Sequence, residues 1–330
     1  MGRAMLRQRT GYLVRRLIQA VPVIFAIVII NFFLLHLAEG DAVDVLAGEA
    51  GYATPEYMAL LREKFGLDKP LYVQLLAYVK NILTFNMGYS FRYDMPVSEL
   101  IMERLGPTVI LMTTTIILAI GFGILLGSLA AVGRNTWRDS LISVFALVSY
   151  ATPLFWVGIM LIVAFSVKLT WLPTSGMETI GASYGGWERV LDIAHHLILP
   201  AITLSLYYLA LYTRLMRASM LEQSGMNYVT TARAKGLTER RIAFKHILRN
   251  AVLPIFTMAG VQIGSLVGGS VIVETVFGWP GLGTLAFESV FARDLNLLLG
   301  IFFLSSCLVV VANLFVDLIY SFLDPRIEVR

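Results

Sequence analysis

The side chains of this 330-residue chain best suited to act on something outside it are cations. Arg233, Lys235, Arg240, Arg241, Lys245 and Arg249 gather in the stretch Leu221–Pro254, opposed only by Glu222 and Glu239. Their chemistry is electrostatic docking. No GxxxxGK[ST] phosphate loop occurs, so any nucleotide hydrolysis has to belong to a partner. No serine dyad, paired intramembrane aspartates or metal-ligand group emerges either, and enzyme function is not expected of this chain. His195 and His196 are adjacent but lack the companions of a four-ligand zinc site. Cys307, the sole cysteine, lies in an apolar run and reads as a small packing residue.

Two further groups could line or gate a passage. Tyr208 and Tyr212 are one helical turn apart and share a face, suited either to a passage or to an aromatic anchor at the headgroup level. Glu274 precedes the turn Trp279-Pro280-Gly281-Leu282-Gly283. A carboxylate near the end of an apolar run is costly in lipid unless it faces water or receives hydrogen bonds, so it is expected to face a passage or the extracytoplasmic surface. The turn itself suits a re-entrant or gate-adjacent corner and, equally, a plain structural turn.

The elements that must hold these groups are bilayer-spanning helices. The chain is 57% hydrophobic and 15% charged, and the apolar residues fall in blocks of spanning length. Six spans account for them: 15–38, 107–132, 140–168, 197–217, 251–273 and 297–323. The first is read as a retained span rather than a cleaved signal, because its apolar core runs on from Leu17 to Leu37. Charge gives an independent check. The segments this topology places inside carry 17 Lys/Arg against 6 Asp/Glu, whereas those outside carry 9 against 16. Both termini are therefore expected in the cytoplasm, with the basic loop beside them. The formal charge of +4 is partitioned by loop rather than gathered into a footprint, which argues against nucleic-acid binding.

Within the basic loop, Gly236 is expected to close one helix in the left-handed conformation and Thr238 to cap the next. Residues 39–106 form the longest connection. Helices are expected over Pro55–Phe65, closed by Gly66 and carrying a stripe of Tyr57, Leu60, Leu61 and Phe65, then over Leu71–Leu83 and Asp94–Leu105. A lid, a docking surface and a structural cap all fit this region. Gly123 and Gly127 have the spacing that lets helices approach closely, most simply within one subunit. Pro153, after Ser149 and Thr152, is expected to kink the third span.

The run Thr230-Thr231-Ala232-Arg233-Ala234-Lys235-Gly236-Leu237, followed by His246 to Pro254, resembles the coupling motif of bacterial ATP-binding-cassette (ABC) importer permeases. Thr230 and Thr231 stand where that motif commonly has Glu and Ala. The TARAKGL form, Pro55 to Val73 and Glu274 to Gly283 resemble the oligopeptide and dipeptide branch. The run Thr84 to Ser90 and the Arg293-Asp294-Leu295-Asn296 segment depart from it. The resemblance implies an all-α polytopic membrane protein of the type I ABC importer permease fold, with six transmembrane helices and a small helical extracytoplasmic subdomain. Its division would be a cytoplasmic N-terminus and first helix (1–38), the extracytoplasmic subdomain (39–106), a five-helix permease core (107–323) with the coupling loop at 221–250, and a cytoplasmic tail (324–330).

The same resemblance implies a bacterial inner-membrane location and a related second permease subunit. It also implies two cytoplasmic ABC ATPase subunits that bind ATP and Mg, and an extracytoplasmic peptide-binding protein that delivers peptide substrate. The chain itself would hold no cofactor. Coupling to the ATPases would fall to Thr230, Thr231, Ala232, Arg233, Ala234, Lys235, Gly236, Leu237, Arg240, Arg241, His246 and Asn250.

Overall fold

The computed structural model describes residues 2–37, 43, 54–90, 92–292 and 294–323. Arg293, most of the outer connection before Thr54 and the terminal Asp324-Pro325-Arg326 lie outside the described residues. The chain divides into two compact units, 1–106 with 284–311 and 107–283 with 312–330.

In the first unit, helix α1 (Gly2–Leu37) is followed by α2 (Pro55–Phe65) and α3 (Leu71–Leu83). Local chemistry sets both ends of α2. Thr54 Oγ1 accepts from Tyr57 N at 3.3 Å and Pro55 occupies the first turn. Gly66, at φ +68°, closes the helix, with Leu67 N donating to Arg62 O at 2.8 Å and Gly66 N to Glu63 O at 3.0 Å. Of the expected stripe, Tyr57 is 55% and Leu60 62% exposed.

The aperiodic run before Val97 is a small antiparallel ribbon, β1 (Tyr89–Ser90) with β2 (Met95–Pro96). Two-residue strands leave no periodicity to read. Ser90 Oγ donates to Asp294 Oδ2 at 2.5 Å, and Asp294 Oδ1 accepts from Leu297 N at 3.0 Å, capping the last helix. Tyr93 OH donates to Glu288 Oε2 at 2.8 Å.

The third expected outer helix does not end before Pro107. It continues into the second span as one helix, α4 (Val97–Val132), with Pro107 in its interior. The remaining elements are α5 (Trp137–Ala151), α6 (Leu154–Leu161) running on as a π-helical turn to Lys168, and α7 (Gly186–Ser224). The basic loop follows, then α11 (Leu253–Phe277), α12 (Leu282–Phe291) and α13 (Leu295–Leu323).

The second unit is built around α7, which packs against α5, α6 and α11. At the α4 seam, a Cβ on Gly123 would lie 2.5 Å from Tyr212 Cβ, and one on Gly127 would lie 2.6 Å from both Met216 Cβ and Thr213 O. The two glycines thus bring α4 within backbone distance of α7 inside one chain, as their spacing suggests. Pro153 does more than kink the third span: α5 and the segment Leu154–Lys168 meet at 105°. The proline lacks an N–H to continue the helix, and Thr152 closes α5 just before it, its N and Oγ1 both donating to Val148 O at 3.0 and 2.7 Å.

Among the described residues, three helices are long and apolar enough to cross a membrane: Val97–Val132, Gly186–Ser224 and Leu295–Leu314. Counting each of two broken pairs as one span gives five.

Candidate functional site

The basic loop is an ordered helix–turn–helix between α7 and α11. Helix α8 (Asn227–Ala234) ends at Gly236, whose φ is +75°. Gly236 N donates to Arg233 O at 2.9 Å and Leu237 N to Ala232 O at 3.3 Å, the paired bonds of a Schellman turn. The second arm begins with α9 (Glu239–Arg241), widens into a π-helical stretch over Ile242–Ile247 and closes with α10 (Leu248–Ala251). Thr238 precedes α9 in an extended conformation, but its side chain makes no capping hydrogen bond, contrary to the sequence expectation.

A clip joins the arms instead. Arg233 Nε donates to Glu239 Oε1 at 2.7 Å and Nη2 to Oε2 at 3.2 Å. The guanidinium's hydrogen bonds hold the Glu239 carboxyl below the usual carboxylate range. The clip is therefore intact at neutral pH and is lost only as the pH falls through that lowered value.

Burial divides the loop by role. Val229, Ala232, Ile242, Ala243 and Ile247 are buried, so Ala232 positions the loop from within rather than forming its outer face. Thr230, Thr231, Arg233, Ala234, Lys235, Gly236, Arg240, Arg241 and Asn250 are exposed, and Leu237 and His246 are half-buried. Thr238, Arg240, Arg241, Phe244 and Lys245 line an open cleft of about 590 Å³. Three cations around an exposed phenyl ring suit an acidic and apolar protein edge. A Cβ on Gly236 would meet nothing within 4 Å, so the space outside the turn is open for such an edge.

The Glu274 corner differs from its sequence reading. Glu274 and Trp279 are both 0% exposed, so neither faces an open passage. Gly278, at φ +57°, ends α11, and Trp279 N donates to Glu274 O at 2.8 Å. The turn then folds back over the carboxylate, where a Cβ on Gly281 would fall on Glu274 Cδ, Oε1 and Oε2 and one on Gly283 would lie 2.7 Å from Oε2. Thr108 ties the corner to α4. Its hydroxyl donates to Glu274 Oε1 at 3.1 Å and accepts from Leu282 N at 2.7 Å, and the Trp279 indole donates to Pro107 O at 3.0 Å. Pro280 is half-buried and Gly281 buried within the same turn. The arrangement braces a corner.

Tyr208 and Tyr212 are likewise buried against their own chain, Tyr212 beneath Gly123. The aromatic face that sequence reasoning missed is their neighbour's: Tyr207 stacks on Tyr150 at 5.1 Å, and Arg214 lies over the Tyr150 ring at 4.8 Å. Of the paired histidines, the first fastens a loop and the second bonds within α7. His195 Nε2 lies 3.0 Å from Trp171 O and His196 Nδ1 2.9 Å from Asp192 O. No cluster able to hold a metal occurs among the described residues.

Also missed was an ion pair beneath the bundle. Arg217 Nε and Nη2 donate to Asp139 Oδ1 and Oδ2 at 2.6 and 2.7 Å, and Asn135 N adds a bond to Oδ2 at 3.0 Å. These partners are 78 residues apart, and no local pattern announces them.

Comparison with known proteins places the fold and loop in context. Residues 123–329 match the family model described as binding-protein-dependent transport system inner membrane component, and residues 5–113 match the corresponding N-terminal model. The oligopeptide transport system permease protein AppB of Bacillus subtilis (strain 168) is 41% identical over 320 residues, covering 96% of this chain and 99% of AppB. The glutathione transport system permease protein GsiC of Escherichia coli O6:H1 is 37% identical over 320 residues, covering 97% and 99%. A chain from the inward-facing MetNI methionine ABC transporter aligns with a TM-score of 0.56 at 17% identity, covering 68% of this chain and 96% of its own. At that identity the likeness speaks to the fold, which is the all-α, type I ABC-importer permease fold with an added N-terminal helical region. The chain belongs to the binding-protein-dependent transport system inner membrane components and is a multi-pass permease subunit of an ABC transport system.

Proposed function

We propose that this permease imports dipeptides or short oligopeptides, forming half of a translocation passage with a related second permease subunit. Two cytoplasmic ABC ATPases bind ATP and Mg and supply the work, and an extracytoplasmic peptide-binding protein presents the cargo. Relatives named for oligopeptide and glutathione transport support the substrate class. The observation that carries the mechanism is the cationic cleft at Arg240, Arg241, Phe244 and Lys245, set in an ordered loop whose ends continue directly into α7 and α11. An ATPase edge seated there moves both helices together. Such a loop converts closure of a separate motor into rearrangement of the membrane subunits, without any bond broken in this chain.

In this reading α1, α4, the α5–α6 pair, α7, α11 and α13 are six spans, both termini are cytoplasmic, and 221–250 faces the ATPases at the bacterial inner membrane. The partition of charge between loops supports that orientation. The Thr230 to Asn250 surface is the coupling site, and residues 39–106 belong to the outer side. The Glu274 corner fixes the outer end of α11 rather than gating by its charge.

The decisive experiment is peptide uptake by proteoliposomes containing the full complex and its delivery protein. Uptake should require ATP and both ATPases, and accumulation driven by an ion gradient in vesicles lacking the ATPases would overturn the assignment. Gly236→Asp tests the coupling surface itself. It places a side chain and a charge in the open space outside the turn, and ATPase co-purification is expected to fall about tenfold while the permease remains folded. Normal ATPase association and peptide-stimulated turnover in this variant would remove Gly236 from the docking face.

A further inference from the structure

Arg214 is an exposed cation with no carboxylate beside it. Three residues on, Arg217 takes both oxygens of Asp139, and Asn135 N adds a bond to Oδ2, so that carboxylate is occupied. Among the described residues Arg214 forms no ion pair. Its guanidinium lies over the Tyr150 ring, which in turn stacks on Tyr207.

The direction of that side chain argues against lipid. Arg214 is ten residues from the end of α7 at Ser224, and Tyr207 stands two turns nearer the middle of the helix. A lipid-facing arginine reaches toward the headgroups at the nearer end. This one reaches back toward the middle. Depth points the same way. Trp137, 70% exposed between Arg134 and Arg138, marks a headgroup-level end for α5. Tyr150 lies thirteen residues further on, about 20 Å along the helix, against a hydrocarbon half-thickness of roughly 15 Å. With its ring leaning one turn back, as helical side chains do, the stack sits near mid-bilayer. An exposed guanidinium at that depth belongs in a water-filled cavity.

The exposed surface of α5 is two-sided in keeping with this. Asp139 and Ala146 mark the buried line against α7. At 3.6 residues per turn, Ser143 and Tyr150 come next to that line, with Ser140 and Leu147 beyond them. The farther side is Leu141, Val144, Phe145 and Val148, each 44% or more exposed. The farther side suits acyl chains, and the sector beside Arg214 suits water.

We infer that Arg214, held by the Tyr150 and Tyr207 rings, is a binding site on the passage wall for the C-terminal carboxylate of the cargo peptide. The inference rests on the peptide-import reading above. A guanidinium presents a planar fork of donors that matches a carboxylate bidentately, and the aromatic face holds it without neutralising it. Every linear peptide with a free C-terminus carries that carboxylate, so a site of this kind takes cargo whatever its side chains. A single contact on an open face is also weak enough to let the cargo leave.

The test compares one short peptide having a free C-terminus with its C-terminal amide, in proteoliposomes containing the full complex and its delivery protein. Arg214→Gln should lower the ratio of free-acid to amide uptake about tenfold, the effect of losing one charge-assisted contact. Arg214→Lys keeps the charge but not the fork, and should lower the ratio about threefold. Any preference of the delivery protein is the same for every variant and cancels in this comparison. On a Cys307→Ser background, a membrane-impermeant maleimide added to both faces should modify Ser143→Cys about tenfold faster than Leu141→Cys. An unchanged ratio in both arginine variants, or an equal loss of both peptides, would overturn the inference and leave peptide import standing. Equally slow labelling at 143 and 141 would mean that lipid or the second permease covers the face, which overturns it too. A wild-type complex that takes up neither peptide would remove the import reading, and this inference with it.

Discussion

Gly281→Ala is expected to abolish transport and to lower the stability of the purified complex by about 2–4 kcal/mol, a large effect for one added methyl group. The residue is absent from the positive-φ positions, so its backbone accepts alanine, and the cost comes through space alone. The new Cβ falls on the Glu274 carboxyl group, which is fully buried, already walled by Gly283 and held by Thr108. The carboxylate has to leave that position, taking with it the anchor that holds Leu282 N through the same threonine. The diagnostic measurement is a double-mutant cycle by thermal unfolding in detergent. Gly281→Ala introduced into Glu274→Ala should cost under about 1 kcal/mol, because the clashing group is gone. Equal losses in both backgrounds would show that the carboxylate is not what the glycine makes room for.

Arg217→Ala should be the most damaging change at the opposite end of the bundle. Asp139 is 5% exposed and receives both arms of the guanidinium, so removing the arginine strands a buried carboxylate between α5 and α7. Breaking such a pair typically costs roughly 3–5 kcal/mol, and the partial exposure of Arg217 reduces the expectation to about 2–3 kcal/mol. Asp139→Asn in the same background should recover part of the loss, because an amide tolerates the site without a counter-charge. Scanning fluorimetry of the three variants checks this order. If Arg217→Ala and wild type melt together, the pair contributes only contact, not strength.

What the sequence disclosed about this fold follows from how far each signal reaches along the chain. Gly66 and Gly236 were legible as helix ends because a left-handed glycine acts on carbonyls three to five residues before it. Apolar blocks and loop charges were legible for the same reason. Glu274 was misread because its surroundings come from Thr108, 166 residues earlier, and from a turn whose fold over the carboxylate depends on packing rather than propensity. Pro153 marked where the third span breaks, but the 105° angle is a property of what α5 and α6 pack against. Pro107 misled in the other direction, since a proline inside a long helix is tolerated where neighbours re-satisfy the backbone. In the basic loop the outward cations were evident, yet Ala232 is an inward residue, and the Arg233 to Glu239 clip does the fastening expected of Thr238.

The near-contact of α4 and α7 at Gly123 and Gly127 has a mechanical corollary. Where backbone meets backbone there is no flexible side-chain layer to shear, so the two helices translate as one stiff beam. The bidentate clamp at Asp139 rivets α5 to the same beam at Arg217. A thrust arriving at Ser224 is then shared by three helices at once, and compliance has to be sought at joints lacking such interlocks.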